Sequence, residues 1–175
     1  MIGWIRRHWL ASIASAAVAL GGAIFVLVYF TPQALFINTR LDEPAPSPPA
    51  AAQPPASRAP SPSGPVTLLS GTFRSLEHTT TGRALLLRLP DGSAVLRLEN
   101  FSTSNGPDVH VYLSAAPADG PSDTFGRNPI ELGSLKANQG NINYAVPAGA
   151  NLATVKAAVI WCRRFSVGFG VASLD

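Results

Sequence analysis

Cysteine is all but missing from this 175-residue chain, which carries Cys162 and no other. A single thiol excludes a disulfide within the chain and any metal site built on clustered cysteines. Histidine is scarce as well, and His78 and His110 are the only two beyond the first thirty residues. Charged residues make up 13% of the chain and the formal net charge is only +3. The arginines are scattered, with no basic stripe interleaved with aromatics, which excludes a nucleic-acid partner. Also missing are a glycine-rich phosphate loop, a nucleophile elbow and a pair of carboxylates placed for acid–base work, so nothing specifies hydrolysis or group transfer. Beyond residue 30 there is no long segment of helical period.

Proline and one apolar run are the features that are present in excess. Met1 to Trp9 is short and basic, and an uncharged, mostly apolar run follows from Leu10 to Phe30. At 1.5 Å per residue that run is long enough to cross a hydrocarbon core of about 30 Å as a helix. Residues 1–9 are then the cytoplasmic N-terminus, held inside by Arg6 and Arg7, and residues 10–30 are a transmembrane signal anchor with the rest of the chain outside. Ala17-Val18-Ala19 has the small-x-small spacing of a cleavage site, but a cut there leaves Leu20 to Phe30 as an apolar new terminus. The length favours an uncleaved single span, placing the protein in the cell membrane with an extracytoplasmic C-terminal domain.

Residues 31–65 read as an extracytoplasmic linker. From Glu43 to Pro65 it is almost entirely Pro, Ala and Ser, and it takes most of the 16 prolines. Proline has no amide donor and a fixed φ, so such a segment does not pair into a sheet or continue a helix. As polyproline II, at about 3.1 Å per residue, it makes a stiff tether several tens of ångströms long.

Residues 66–175 form the head. Short apolar runs predict strands near Thr67–Leu76, Arg83–Leu89, Ala94–Glu99, Val109–Ser114, Ile130–Leu135, Ile142–Val146, Lys156–Cys162 and Val167–Leu174. Turn chemistry separates them, as in Pro90-Asp91-Gly92 and Asn105-Gly106-Pro107-Asp108. The expected class is all-β, an antiparallel β-sandwich or barrel behind one transmembrane helix and a proline-rich linker.

Few residues of the head offer chemistry. On a strand, Ile160, Cys162 and Arg164 share one side, and Trp161, Arg163 and Phe165 the other. A cation beside an exposed sulfur favours thiolate, which makes Cys162 a candidate redox thiol or metal ligand tuned by Arg164 and Arg163. Free cysteine is equally a small core hydrophobe, and that reading stays open. His78 and His110 are imidazoles able to ligate haem iron or copper, or to carry protons. Asp108 either fixes its turn through nearby amides or pairs with a histidine or an ion.

Several landmarks occur in a fixed order. Gly71-Thr72-Phe73 precedes His78 and Gly82, and Leu98-Glu99-Asn100-Phe101 leads to Asn105-Gly106-Pro107-Asp108-Val109-His110-Val111-Tyr112-Leu113. Leu132-Gly133-Ser134-Leu135-Lys136, Gly140-Asn141-Ile142-Asn143-Tyr144, Val159-Ile160-Trp161-Cys162 and Phe169-Gly170 complete the set. Together they resemble the DM-thirteen domain, the family called "electron transfer DM-thirteen", over about residues 66–174. The resemblance implies a small extracytoplasmic β-domain whose characteristic cysteine, here Cys162, does redox work as a bare thiol or as a ligand for haem or a transition metal. His78 and Asp108 fall on family landmarks. No cytochrome-like domain accompanies the head, so an electron partner is a separate redox protein. The expected function is thus a membrane-anchored redox or electron-transfer module rather than a substrate-turnover enzyme. Its rival is a non-catalytic binding or scaffold module presented to an envelope component.

Overall fold

A computed structural model of the chain describes residues 2–29, 37–46 and 64–175. The N-terminal part is one helix, α1, Ile2–Tyr29. Its stretch Ser12–Tyr29 has a mean hydropathy of 2.1 and is long and apolar enough to cross a membrane. The helix begins before the expected start at Leu10, because the basic segment ahead of it holds no proline to stop it. The chain divides into two compact units after Ile37.

The second unit is mostly β. Its strands are β1 Arg40–Asp42, β2 Val66–Ser75, β3 Thr81–Arg88, β4 Ala94–Ser102, β5 Val109–Ser114, β6 Ile130–Ser134, β7 Gln139–Ala145, β8 Ala157–Cys162 and β9 Val167–Ser173. They hydrogen-bond in the order β1-β7-β4-β3-β2-β9-β8-β5-β6, as one continuous nine-stranded sheet. The expected all-β class holds, and in place of a sandwich or a complete barrel the strands form a single curled half-barrel sheet. Its pairs are antiparallel except at one edge, where β1 runs parallel to β7.

Curling follows from where the apolar side chains go. Ala84 and Leu86 of β3, Leu96 and Leu98 of β4, and Ile142 and Tyr144 of β7 alternate onto one face. Val111 and Leu113 of β5, Ala158 and Ile160 of β8, and Phe169 and Ala172 of β9 join the same core cluster from the other half of the sheet. A flat sheet would leave these two sets facing water. Each full burial is worth roughly 1.5–3 kcal/mol, so the sheet bends until the sets meet.

β5 and β8 are buried at every position. Their second face carries Tyr112, Ala157, Val159 and Trp161, covered by Ala118 and Phe125 from the connection between β5 and β6. A strand buried on both faces reads as an unbroken apolar run rather than an alternating one, as 157–162 does. Turns have the chemistry their residues predict. The Asp91 carboxylate accepts from the amide and hydroxyl of Ser93, at 2.8 and 2.6 Å, and Gly92 takes φ +85°.

The linker expectation needs correction at its start. Residues 38–46 belong to the head unit, and Arg40, Leu41 and Asp42 pair with Gln139, Gly140 and Asn141. Glu43 and Pro44, expected in the tether, also dock on the sheet: the Glu43 amide donates to the Asn141 carbonyl at 2.8 Å, and the Asn143 side chain donates to the Pro44 carbonyl at 2.9 Å. The remainder of the linker expectation, residues 31–36 and 47–63, lies outside the described residues.

Candidate functional site

Cys162 is the last residue of β8 and has no exposed surface. It pairs with Val109 on one side and Val167 on the other. Its side chain belongs to the main core with Ile160 and Phe169, while Trp161 points into the second cluster. Gly126 makes room for the indole, because a Cβ there would sit 2.8 Å from Trp161. The strand ends at Cys162, and residues 163–166 form an exposed turn, with Ser166 at φ +53°. The strand thus ends at Cys162, as expected, and Arg164, two residues on, lies on the turn rather than beside the sulfur on a shared strand face.

Arg163 is drawn elsewhere. Its amide donates to the Asp108 carbonyl at 2.9 Å, and its guanidinium lies 3.3 Å from Glu131 and 4.0 Å from Asp108. Between those carboxylates sits the imidazole of His110, 6% exposed. Its Nε2 is 2.8 Å from Asp108 Oδ1. Its Nδ1 is 2.7 Å from Glu131 Oε1, and this buried nitrogen forms no hydrogen bond within the described residues. Tyr112 stands next along the strand, its ring 6.3 Å from that of His110. Burial, then the Glu131 carboxylate, pushes its phenol up from the usual value.

His78 lies on the connection after β2. Its ring rests on Phe169, with centroids 3.8 Å apart, and its amide donates to the Phe169 carbonyl at 3.4 Å. Thr80 holds this connection: its hydroxyl donates to the His78 carbonyl at 3.2 Å and meets the Thr103 hydroxyl at 2.8 Å. Gly170 permits the approach, since a Cβ there would lie 2.4 Å from Thr80. Phe169, in contact with His78, belongs to the same core cluster as Cys162.

Cys162 is fully enclosed among apolar side chains, so its sulfur presents no opening to a haem or a transition metal. Among the described residues, no three of His, Cys, Asp and Glu are grouped to hold a metal ion. Three surface clefts among the described residues, of about 280, 330 and 430 Å³, are lined by neither Cys162 nor His78. The first of them opens instead at the Asn105-Gly106-Pro107-Asp108 loop, opposite Ser134 and Lys136.

The sequence pattern singled out Cys162, His78, Asp108, Arg163 and Arg164. The structure brings Asp108 and Arg163 together around His110, and adds Glu131, for which the sequence held no signal beyond a charge on an edge strand.

A curled, mostly β head behind one apolar helix is thus the class of protein these residues build. Residues 72–174 match the family described as "Electron transfer DM13", and the chain belongs to that family. No curated protein and no solved structure matches the chain.

Proposed function

We propose that this protein is a membrane-anchored, extracytoplasmic electron-transfer module that works with a separate redox protein through Cys162 as a shielded thiol. The family match carries this reading, because Cys162 lies within the matched residues. The apolar helix and the cations Arg6 and Arg7 support anchoring with the head outside. Burial sets the terms of the chemistry: thiol–disulfide exchange needs access to the sulfur. Cys162 gains access by opening of the β8–β9 turn, the nearest exposed backbone, where local opening costs less than unfolding of the central strands.

The corresponding step is an exchange. The deprotonated sulfur attacks a disulfide of the partner, a mixed disulfide forms, and the partner's other sulfur leaves as thiolate. With one cysteine in the chain, a second thiol must resolve the mixed disulfide and restore Cys162. The experiment is incubation of the folded full chain with a low-molecular-weight disulfide, followed by intact mass. One adduct at Cys162, and none in Cys162→Ser, supports the exchange. A chain left unmodified until it is denatured removes it.

A binding or scaffold module for an envelope component is the second reading. The complete enclosure of Cys162 favours it, because a core thiol serves packing as well as chemistry. A Cys162→Ser protein that stays folded and restores the phenotype of a deletion strain supports this alternative.

A further inference from the structure

We infer that the outer edge of β7 is a receptor for an extended segment, that residues 38–44 are its occupant, and that this docking holds the head to its membrane anchor. β1 lies outside the matched family residues, which begin at 72, and it is too short at three residues to persist by its own pairing. What holds it is a set of side chains on the sheet.

Asn138, 2% exposed, accepts from the Thr39 amide at 2.7 Å and donates to the Asn38 side chain at 2.8 Å. Asn141 donates to Asp42 Oδ1 from its amide, at 3.1 Å, and from its side chain, at 2.8 Å. The Asn143 amide donates to the Glu43 carboxylate at 2.5 Å, and Lys136 Nζ lies 3.1 Å from it. Arg97, 8% exposed, donates to the carbonyls of Glu43 and Pro44 at 3.3 and 3.2 Å. Gly140 completes the groove. It adopts φ +116°, and a Cβ there would lie 2.1 Å from the Leu41 carbonyl oxygen.

Arg97 is anchored on the sheet by the Glu99 carboxylate at 2.8 Å and the Asn143 side chain at 2.9 Å, so its guanidinium is already in place to donate to two main-chain carbonyls of the segment. Asn138 is likewise held by the Thr103 carbonyl at 3.1 Å, and its side-chain oxygen, which accepts from Thr39, loses that partner when the segment leaves. The edge is therefore built for an occupant with a carboxylate at the Glu43 position and an extended backbone. It is a strand-addition site with side-chain selectivity.

The consequence concerns the tether. The covalent path from α1 to its first attachment on the head is residues 30–37, and the proline-rich residues 47–63 only connect β1 to β2. With β1 docked, the 47–63 connection is not needed to keep the head on its anchor.

The test uses the full chain in liposomes, with a specific protease sequence inserted between Ala52 and Gln53. After cleavage the vesicles are floated and the head fragment is measured. With the native segment, most of the head floats with the vesicles although no covalent bond joins them. The double substitution Thr39→Pro and Glu43→Pro removes two amides that donate to the sheet and the Glu43 carboxylate, and leaves the sheet's own residues untouched. In that variant the cleaved head is lost from the floated fraction while its near-ultraviolet circular dichroism stays that of the folded sheet. Release of the native head on cleavage would overturn the inference, and so would equal retention of the doubly substituted one.

Discussion

At the scale of single residues, Cys162 is defined by enclosure. Sequence periodicity placed it correctly beside Ile160 and opposite Trp161, because alternation is a local property of an extended chain. Burial was not legible, since it depends on the curled sheet bringing its two halves together over the face that carries Cys162. Arg164 does not share a strand face with the sulfur, because β8 ends at Cys162, two residues before it. Substitution by serine places a hydroxyl in this apolar site and costs about 1–3 kcal/mol, whereas alanine leaves a one-atom cavity at about 1 kcal/mol. Denaturant unfolding of the two variants should rank serine below alanine. The reverse order would mean that the position is wet.

His110 teaches a related lesson. Asp108 ends the turn before β5 and His110 is the second residue of that strand, close enough in sequence for the carboxylate to reach the ring at 2.8 Å. Glu131 enters from β6, a neighbour that only the sheet order supplies.

At the scale of elements, eight strands were legible because their apolar runs and turn residues are strong local signals. β1 was not. Three residues, Arg40 to Asp42, have no periodicity to read, and their conformation comes from the partners at β7. Gly140→Ala tests this element directly. A methyl group in the path of the Leu41 carbonyl, on backbone of positive φ, should displace β1 and cost about 1–3 kcal/mol. Hydrogen exchange would report it as faster exchange of the Glu43 amide, with the β3 and β4 amides unchanged.

The docking also depends on pH. Burial raises the Glu43 carboxyl, but the Asn143 amide, Lys136 and Arg97 outweigh it and hold the group below its usual 4.5. A depressed carboxylate stabilises the folded form above pH 4.5 and loses that contribution as pH falls through the folded value. Retention of the cleaved head on vesicles should therefore be level near neutrality and decline below about pH 4.5, and Glu43→Gln should flatten that decline.

At the scale of the whole molecule, the sequence showed an apolar span and a β-domain, and both are present. Its antiparallel sandwich or barrel was half right. Counting strands cannot say whether a sheet closes, splits or curls, since that depends on which faces find each other in space. The proposed topology predicts that Lys136 and Lys156 react with a membrane-impermeant amine reagent on intact cells. Labelling only after permeabilisation would place the head on the other side.

The redox proposal and the packing alternative differ in one quantity, the free energy at which Cys162 becomes accessible. Thiol labelling of the full chain, followed against increasing denaturant below the unfolding transition, measures it. The account predicts labelling through local opening of the β8–β9 turn, at a rate nearly independent of denaturant and far faster than global unfolding allows. A rate that rises with the full denaturant slope of unfolding would contradict it, and would leave Cys162 as a packed core residue.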